Sequence, residues 1–211
     1  YERATISLLN NGILEFTRTV NLGGNEVTGS LMTEPLVTEE GSPRTLTYNE
    51  AENIKREYGL PPSTATGATA KEGVLLNQIP RLMSPFLERL LSEIRTSFDF
   101  YMSEFQIPKV EKIIMSGGGA GLKGLKEFLV EDLGIEVELA DPFQSADFAG
   151  RISKDDFMDI TTAFTMPLGL AAWEKGDMSF LRMKKKAAKK KLGLIKPLLA
   201  PSGVAVILIL I

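Results

Sequence analysis

The sequence predicts an α/β fold with a mixed sheet flanked by helices, and three observations carry that prediction. Two β-rich runs, Ala4 to Leu9 and Ile13 to Asn21, are joined by Asn10-Asn11-Gly12, a strong hairpin signal. Further on, the apolar run Val110 to Met115, the periodic positions Leu122, Leu125, Phe128, Leu129 and Leu133, and the alternating Ile135-Glu-Val-Glu-Leu139 read as strand, helix and strand. That βαβ unit is parallel and its crossover right-handed. Between the two lie Leu82, Phe86, Leu90, Ile94, Phe98 and Tyr101, repeating at three to four residues, which predicts one long helix from Pro80 to about Phe105 with an apolar core face.

The remaining elements follow in order. Gly23-Gly24 ends the second strand and opens a helix with Asn25 as candidate N-cap and Val27, Leu31 and Met32 on its apolar side. Thr33 to Thr47 is polar and acidic, a surface loop or a frayed helix end. Tyr48 to Tyr58 reads as a helix closed by Gly59 and stopped by Pro61-Pro62. Ser63 to Gly73 is a small-residue loop, and Pro108 is expected to end the long helix. Asp141-Pro142-Phe143 closes the last strand, and Gln144 to Asp159 reads as a loop with a short helix. Thr161 to Trp173 is a small, apolar helix in which Pro167 is tolerable near the first turn or at a kink. Residues 1–177 form the domain by this reading, with 34–80 a partly inserted subdomain.

The 211 residues contain neither cysteine nor histidine, which excludes disulfides, thiolate metal sites and histidine-based catalysis. Eight of the 24 Lys and Arg residues fall between Arg182 and Lys196 with no acid among them, so an acidic body precedes a basic tail. Gly203 to Ile211 is apolar throughout, and residues 178–211 read as a basic juxtamembrane segment followed by the start of a membrane span. The chain opens on Tyr1 and reads as a piece of a longer protein. Aromatic residues do not interleave with the lysines, which argues against nucleic acid as a partner.

Chemistry concentrates in Lys112-Ile-Ile-Met-Ser-Gly117-Gly118-Gly119-Ala-Gly121-Leu122-Lys-Gly124-Leu125. Glycines between a strand and a helix let backbone approach a phosphate or nucleoside, although a tight turn alone also explains them. Gly119-Ala-Gly121-Leu-Lys-Gly124 fits the dinucleotide pattern G-x-G-x-x-G, with Glu138 or Asp141 about twenty residues on for a ribose, so an NAD-type oxidoreductase fragment is the alternative. Against it, that fingerprint normally opens its domain. Glu52 and Lys55 share a helix face three residues apart, an arrangement that a solvated ion pair also accounts for.

The order of elements resembles the actin-like ATPase superfamily, whose fold is ribonuclease H-like. The segment Ile113–Ala120 with Leu122-Lys-Gly-Leu125 is similar to its adenosine loop. Glu52-Asn-Ile-Lys55 resembles its E-x-x-K helix, and the hairpin with Gly23-Gly24 resembles the strands after its second phosphate loop. Within the superfamily, Leu91–Tyr101, Leu125–Leu129, Leu133–Val137, Asp141–Phe143 and Gly169–Ala172 resemble the PilM family of type IV pilus assembly, with the cell-division protein FtsA and the type II secretion protein GspL as relatives.

That resemblance implies the second lobe of an actin-like domain, a nucleotide-binding scaffold of a pilus or type II secretion platform. It implies ATP or ADP with Mg2+ as ligands, the metal being held by a first lobe not contained in this chain. Gly117, Gly118, Gly119 and Leu122 would line adenine and ribose, Glu52 and Lys55 the other side of the nucleoside, and Gly23 and Gly24 the region near the phosphates. The implied setting is the cytoplasmic side of a bacterial inner membrane. Bitopic assembly proteins, an anionic membrane surface met by Lys184 to Lys191, and self-association are the implied partners. No catalytic residue follows from the sequence, and any weak ATPase activity would belong to the two-lobed protein.

Overall fold

The computed structural model of the protein describes residues 2–62, 65, 67–107, 109–145, 161–172 and 204–210. The hairpin forms as expected from β1 (Ala4–Asn10) and β2 (Ile13–Val20), paired from Ala4↔Val20 to Asn10↔Ile13. Asn11 and Gly12 take its two turn positions with φ of 50° and 80°. α1 (Gly24–Ser30) follows, capped by extended Gly23 instead of the expected Asn25. Asn25 lies inside the first turn, where its side-chain oxygen accepts from Tyr48 Oη at 3.4 Å.

The stretch from Thr33 to Thr47 is neither loop throughout nor frayed helix. It holds a two-stranded ribbon of β3 (Leu36–Val37) and β4 (Pro43–Arg44). Distant groups back it: the amide of Gln78, 41 residues away, donates to Val37 O at 3.0 Å and accepts from Val37 N at 2.8 Å, and Leu75 N donates to Val37 O at 3.1 Å. α2 (Tyr48–Glu57) then starts on a capping box between Thr47 and Glu50 and closes on Gly59 as predicted. α3 (Ile79–Phe105) has Pro80 in its first turn. It ends at Phe105, as the apolar spacing predicts, where Gln106 turns left-handed (φ 53°); Pro108, the expected stop, lies outside the described residues.

The parallel unit consists of β5 (Lys112–Ser116), α4 (Leu125–Leu133) and β6 (Glu136–Leu139), aligned from Lys112↔Glu136 to Met115↔Leu139. α5 (Thr165–Ala172) carries Pro167 in its first turn, where the missing N–H costs no hydrogen bond. The expected loop of 144–159 lies largely outside the described residues, as does 178–203.

β7 (Val204–Leu210) corrects the reading of the apolar end. Residues 204–210 are not the start of a span but the central strand of the sheet, whose order is β2-β1-β7-β5-β6. β7 runs antiparallel to β1 and parallel to β5 and joins the hairpin to the βαβ unit. An all-apolar run suits a strand covered on both faces as well as it suits a membrane. No helix among the described residues is long and apolar enough to cross a membrane.

Alternation on β1 buries Ala4, Ile6 and Leu8 on one face. α3 lies across the hairpin side of the sheet and supplies Leu82, Phe86, Leu90, Ile94, Phe98 and Tyr101, all buried as predicted. Polar clasps fix its angle: Arg18 on β2 pairs with Glu93 at 2.6 Å, and the hydroxyl of Tyr101 donates to Glu15 on β2. Burial first, and then that carboxylate, push the Tyr101 hydroxyl above the usual phenol range, so it remains a donor. The two strands of the parallel unit differ in cover. Ile113 to Ser116 are all buried, whereas only Val137 is buried on edge strand β6.

Candidate functional site

Three segments carry the predicted site residues. The first is the turn after β5. Gly117 leaves the strand at φ 91° and its N–H donates to Thr162 O at 2.9 Å, so the lead-in to α5 braces the turn. Residues Gly118–Gly121 form a single 3-10 turn, Leu122 is extended, and Gly124 is left-handed at φ 80° before α4 begins at Leu125. The glycines therefore do not open directly onto the helix as expected. A non-helical step at Leu122 and Gly124 separates Gly117–Gly119 from the helix terminus and its dipole. A Cβ at Gly118 would meet no atom within 4 Å, which leaves open space over the turn.

The second segment is the end of α2. Gly59 and Leu60 interlock with Lys123 and Gly124: Leu60 N donates to Lys123 O at 2.8 Å and Lys123 Nζ to Glu57 O at 2.7 Å. A Cβ on Gly124 would lie 2.3 Å from Leu60 O, and one on Gly59 would lie 2.5 Å from Lys123 O. Only two glycines permit this approach, and it seats the Glu52–Lys55 helix against the glycine turn.

The third segment is the start of α1. Lys55 Nζ reaches Gly24 O at 3.2 Å, Thr28 Oγ1 at 2.9 Å and Glu52 Oε2 at 2.6 Å, which engages all three ammonium donors. Glu52 accepts in addition from Thr28 Oγ1 at 2.7 Å and from Arg56 Nε at 2.8 Å. The predicted pair is thus a brace between α2 and Gly24, more than a solvated i,i+3 pair. Among the described residues no hydrogen bond joins Lys55 to Gly117–Gly119. Thr28, Thr162 and Lys123 complete the arrangement. None carries a sequence signal, because a threonine or lysine near a glycine is unremarkable until its partner is known.

Burial raises the Glu52 carboxyl, but hydrogen bonds from Lys55, Thr28 and Arg56 outweigh it and hold it at about 2, below its ordinary 4.5. A depressed carboxylate stabilises the fold above its unfolded value and loses that contribution as protons bind. Unfolding free energy should therefore fall between pH 4.5 and about 2, and Glu52→Gln should flatten that part of the profile. Denaturant titrations across this range check it; a Glu52→Gln profile as steep as the parent's would refute the brace.

The dinucleotide alternative gains nothing from this geometry. Glu138 pairs with Lys112 across β5 and β6, and Asp141 accepts from Phe143 N at 3.0 Å to cap the turn that follows. Both proposed ribose ligands have structural employment, and the fingerprint's helix does not start where the pattern requires.

The profile of the family described as "Type IV pilus assembly protein PilM" matches residues 1–175. Among solved structures, the chain is similar to one titled "PilM-PilN type IV pilus biogenesis complex", at 24% identity and a TM-score of 0.59. That likeness covers 81% of this chain and 42% of the other, so the chain spans less than half the length of its structural relative. At that identity the structural likeness speaks for the fold, and the family profile speaks for descent: the chain belongs to the PilM family of type IV pilus assembly proteins.

Proposed function

We propose that this chain is one lobe of an actin-like, nucleotide-binding scaffold on the cytoplasmic face of an inner membrane, where it helps to assemble type IV pili. One observation carries the nucleotide reading. The interlock of Gly59-Leu60 with Lys123-Gly124 holds α2 against a glycine turn that has open space above Gly118. Gly117–Gly119 and Leu122 would cover adenine and ribose of ATP or ADP. Glu52 and Lys55 act as positioning residues that fix α2 and Gly24 as the facing wall, with Gly23 and Gly24 toward the phosphates. Bound ATP would supply a hydrolysable phosphoanhydride. Mg2+ would be held by the first lobe of the actin-like domain in this reading.

The solved relative is a PilM-PilN complex, and the partner this reading assigns here is a bitopic inner-membrane assembly protein. Lys184 to Lys191 would favour an anionic membrane surface by about 1 kcal/mol per lysine close to it.

The test uses the protein joined to its N-terminal lobe and a fluorescent ATP analogue. Gly118→Asp places a carboxylate in open space, so folding should persist while nucleotide affinity drops at least about tenfold through charge repulsion, a cost near 1.4 kcal/mol. Unchanged affinity in a folded Gly118→Asp protein, or binding of NAD without ATP, would overturn the reading.

A further inference from the structure

The two edges of the sheet are guarded unequally. β6, at one edge, is four residues long and carries exposed Glu136 and Glu138, charges that discourage a further strand. β2, at the other edge, is eight residues long and contains no proline or lysine. Its two charged side chains are turned onto α3: Arg18 meets Glu93 at 2.6 Å, and Glu15 accepts from the Tyr101 hydroxyl. Asn10 and Ile13 close a two-residue hairpin and so form a hydrogen-bonded pair. Glu15 is the extra residue of a bulge between the pairs Leu9↔Leu14 and Leu8↔Phe16, which makes Thr17 and Thr19 the non-hydrogen-bonded partners of Ser7 and Thr5. The 3.1 Å contact between Ser7 Oγ and Thr17 Oγ1 fits the closer side chains of such a pair. The N–H and C=O groups of Thr17 and Thr19, both exposed residues, therefore point away from β1, with no strand beyond them among the described residues. Beside this edge Phe100 stacks on Phe16 at 5.3 Å between ring centres, yet Phe100 and Ile13 are each more than half exposed.

We propose that β2 pairs edge to edge, antiparallel, with β2 of a second copy of this chain. A two-fold axis normal to the sheet keeps the faces matched, so one residue of β2 lies opposite its own mate. Centring on Arg18 would set two guanidinium groups directly opposite each other, which is repulsive. Centring on Thr19 would oppose Phe16 with Leu22, beyond the strand, and leave Phe100 uncovered. Centring on Thr17 lets Thr17 exchange both backbone bonds with its mate and sets Arg18 of each copy opposite Phe16 of the other. Arg18 then brings a cation to the Phe16–Phe100 ring pair, and the two ring pairs cover each other at the axis. Charge thus selects the occupant: the edge presents aromatic rings on its α3 face, and its own strand supplies the cation. With a formal net charge of only −3, two copies repel weakly. β1 and β7 separate β2 from β5, so this surface rests on nothing in the nucleotide reading.

The chain lacks cysteine, so single engineered thiols report the register. Directly opposed hydrogen-bonded residues lie about 5.5 Å apart, within disulfide range, and oxidised Thr17→Cys should run as a covalent dimer. Thr19→Cys thiols would lie four strand residues apart, about 14 Å, and should stay unlinked. The parent chain should sediment as a dimer that dissociates on dilution. Thr17→Pro removes an N–H that points away from β1, a change that an edge strand tolerates, and should give a folded monomer. Phe100→Glu, at an exposed site, should keep the circular dichroism of the parent and weaken dimerisation at least about tenfold by placing like charges at the axis. Four results would each overturn the inference: a parent that stays monomeric at millimolar concentration, Thr17→Cys without a disulfide, equal linking of Thr17→Cys and Thr19→Cys, or a folded Thr17→Pro or Phe100→Glu protein that dimerises as tightly as the parent.

Discussion

Replacing Gly124 by alanine should lower the unfolding free energy by about 2–4 kcal/mol, although it adds a single methyl group at a partly exposed site. Two causes combine. The left-handed backbone at φ 80° disfavours any Cβ by about 1–2 kcal/mol. The added carbon would also sit 2.3 Å from Leu60 O, a backbone atom that cannot rotate away. Relief requires separating Leu60 from Lys123, which breaks the 2.8 Å bond between them and releases the end of α2 from the glycine turn. Nucleotide affinity should drop with it, because both walls of the proposed cleft depend on that contact. Gly118→Ala supplies the contrast: its Cβ meets nothing within 4 Å, and its effect should stay within about 0.5 kcal/mol. Denaturant unfolding of both variants decides the matter, and equal effects would show that the interlock does not hold the turn.

What the sequence reveals of this fold follows from how local each cause is. The hairpin, α2, α3 and the parallel unit are legible because Asn11-Gly12, the Thr47 and Glu50 box, the apolar stripe of α3 and the Gly134 stop act within a few residues. β7 is not legible, since an apolar strand covered on both faces and the start of a span have the same composition; what distinguishes them is β1, some 200 residues earlier. β3 is held by the Gln78 amide and the backbone of Leu75, and no periodicity reports that. In the candidate site, glycine content locates the turn but not the left-handed step at Gly124 that detaches it from α4. The spacing of Glu52 and Lys55 puts them on one face, while their partners, Thr28 for both and Gly24 for Lys55, come from a helix that only the folded chain brings near.

Those partners set the second large effect. Lys55→Met should cost about 2–3 kcal/mol: it strips Glu52 of its closest donor at 2.6 Å and removes the ammonium that donates to Gly24 O. Glu52→Met should cost as much or more, because it leaves the Lys55 ammonium, with only 13% of its side chain exposed, facing Gly24 O and Thr28 Oγ1 without a counter-charge. The double change removes both charges, and two methionines fill a comparable volume. It should therefore destabilise by clearly less than the sum of the single changes, with a coupling of about 1–2 kcal/mol. Strict additivity in this cycle would mean that the pair behaves as two separate surface groups. Because the Lys55 donors are already engaged within the fold, nucleotide affinity of the double variant should track retention of the α2 interlock. A loss of affinity with the interlock and stability intact would instead place the Lys55 amine directly on the nucleoside.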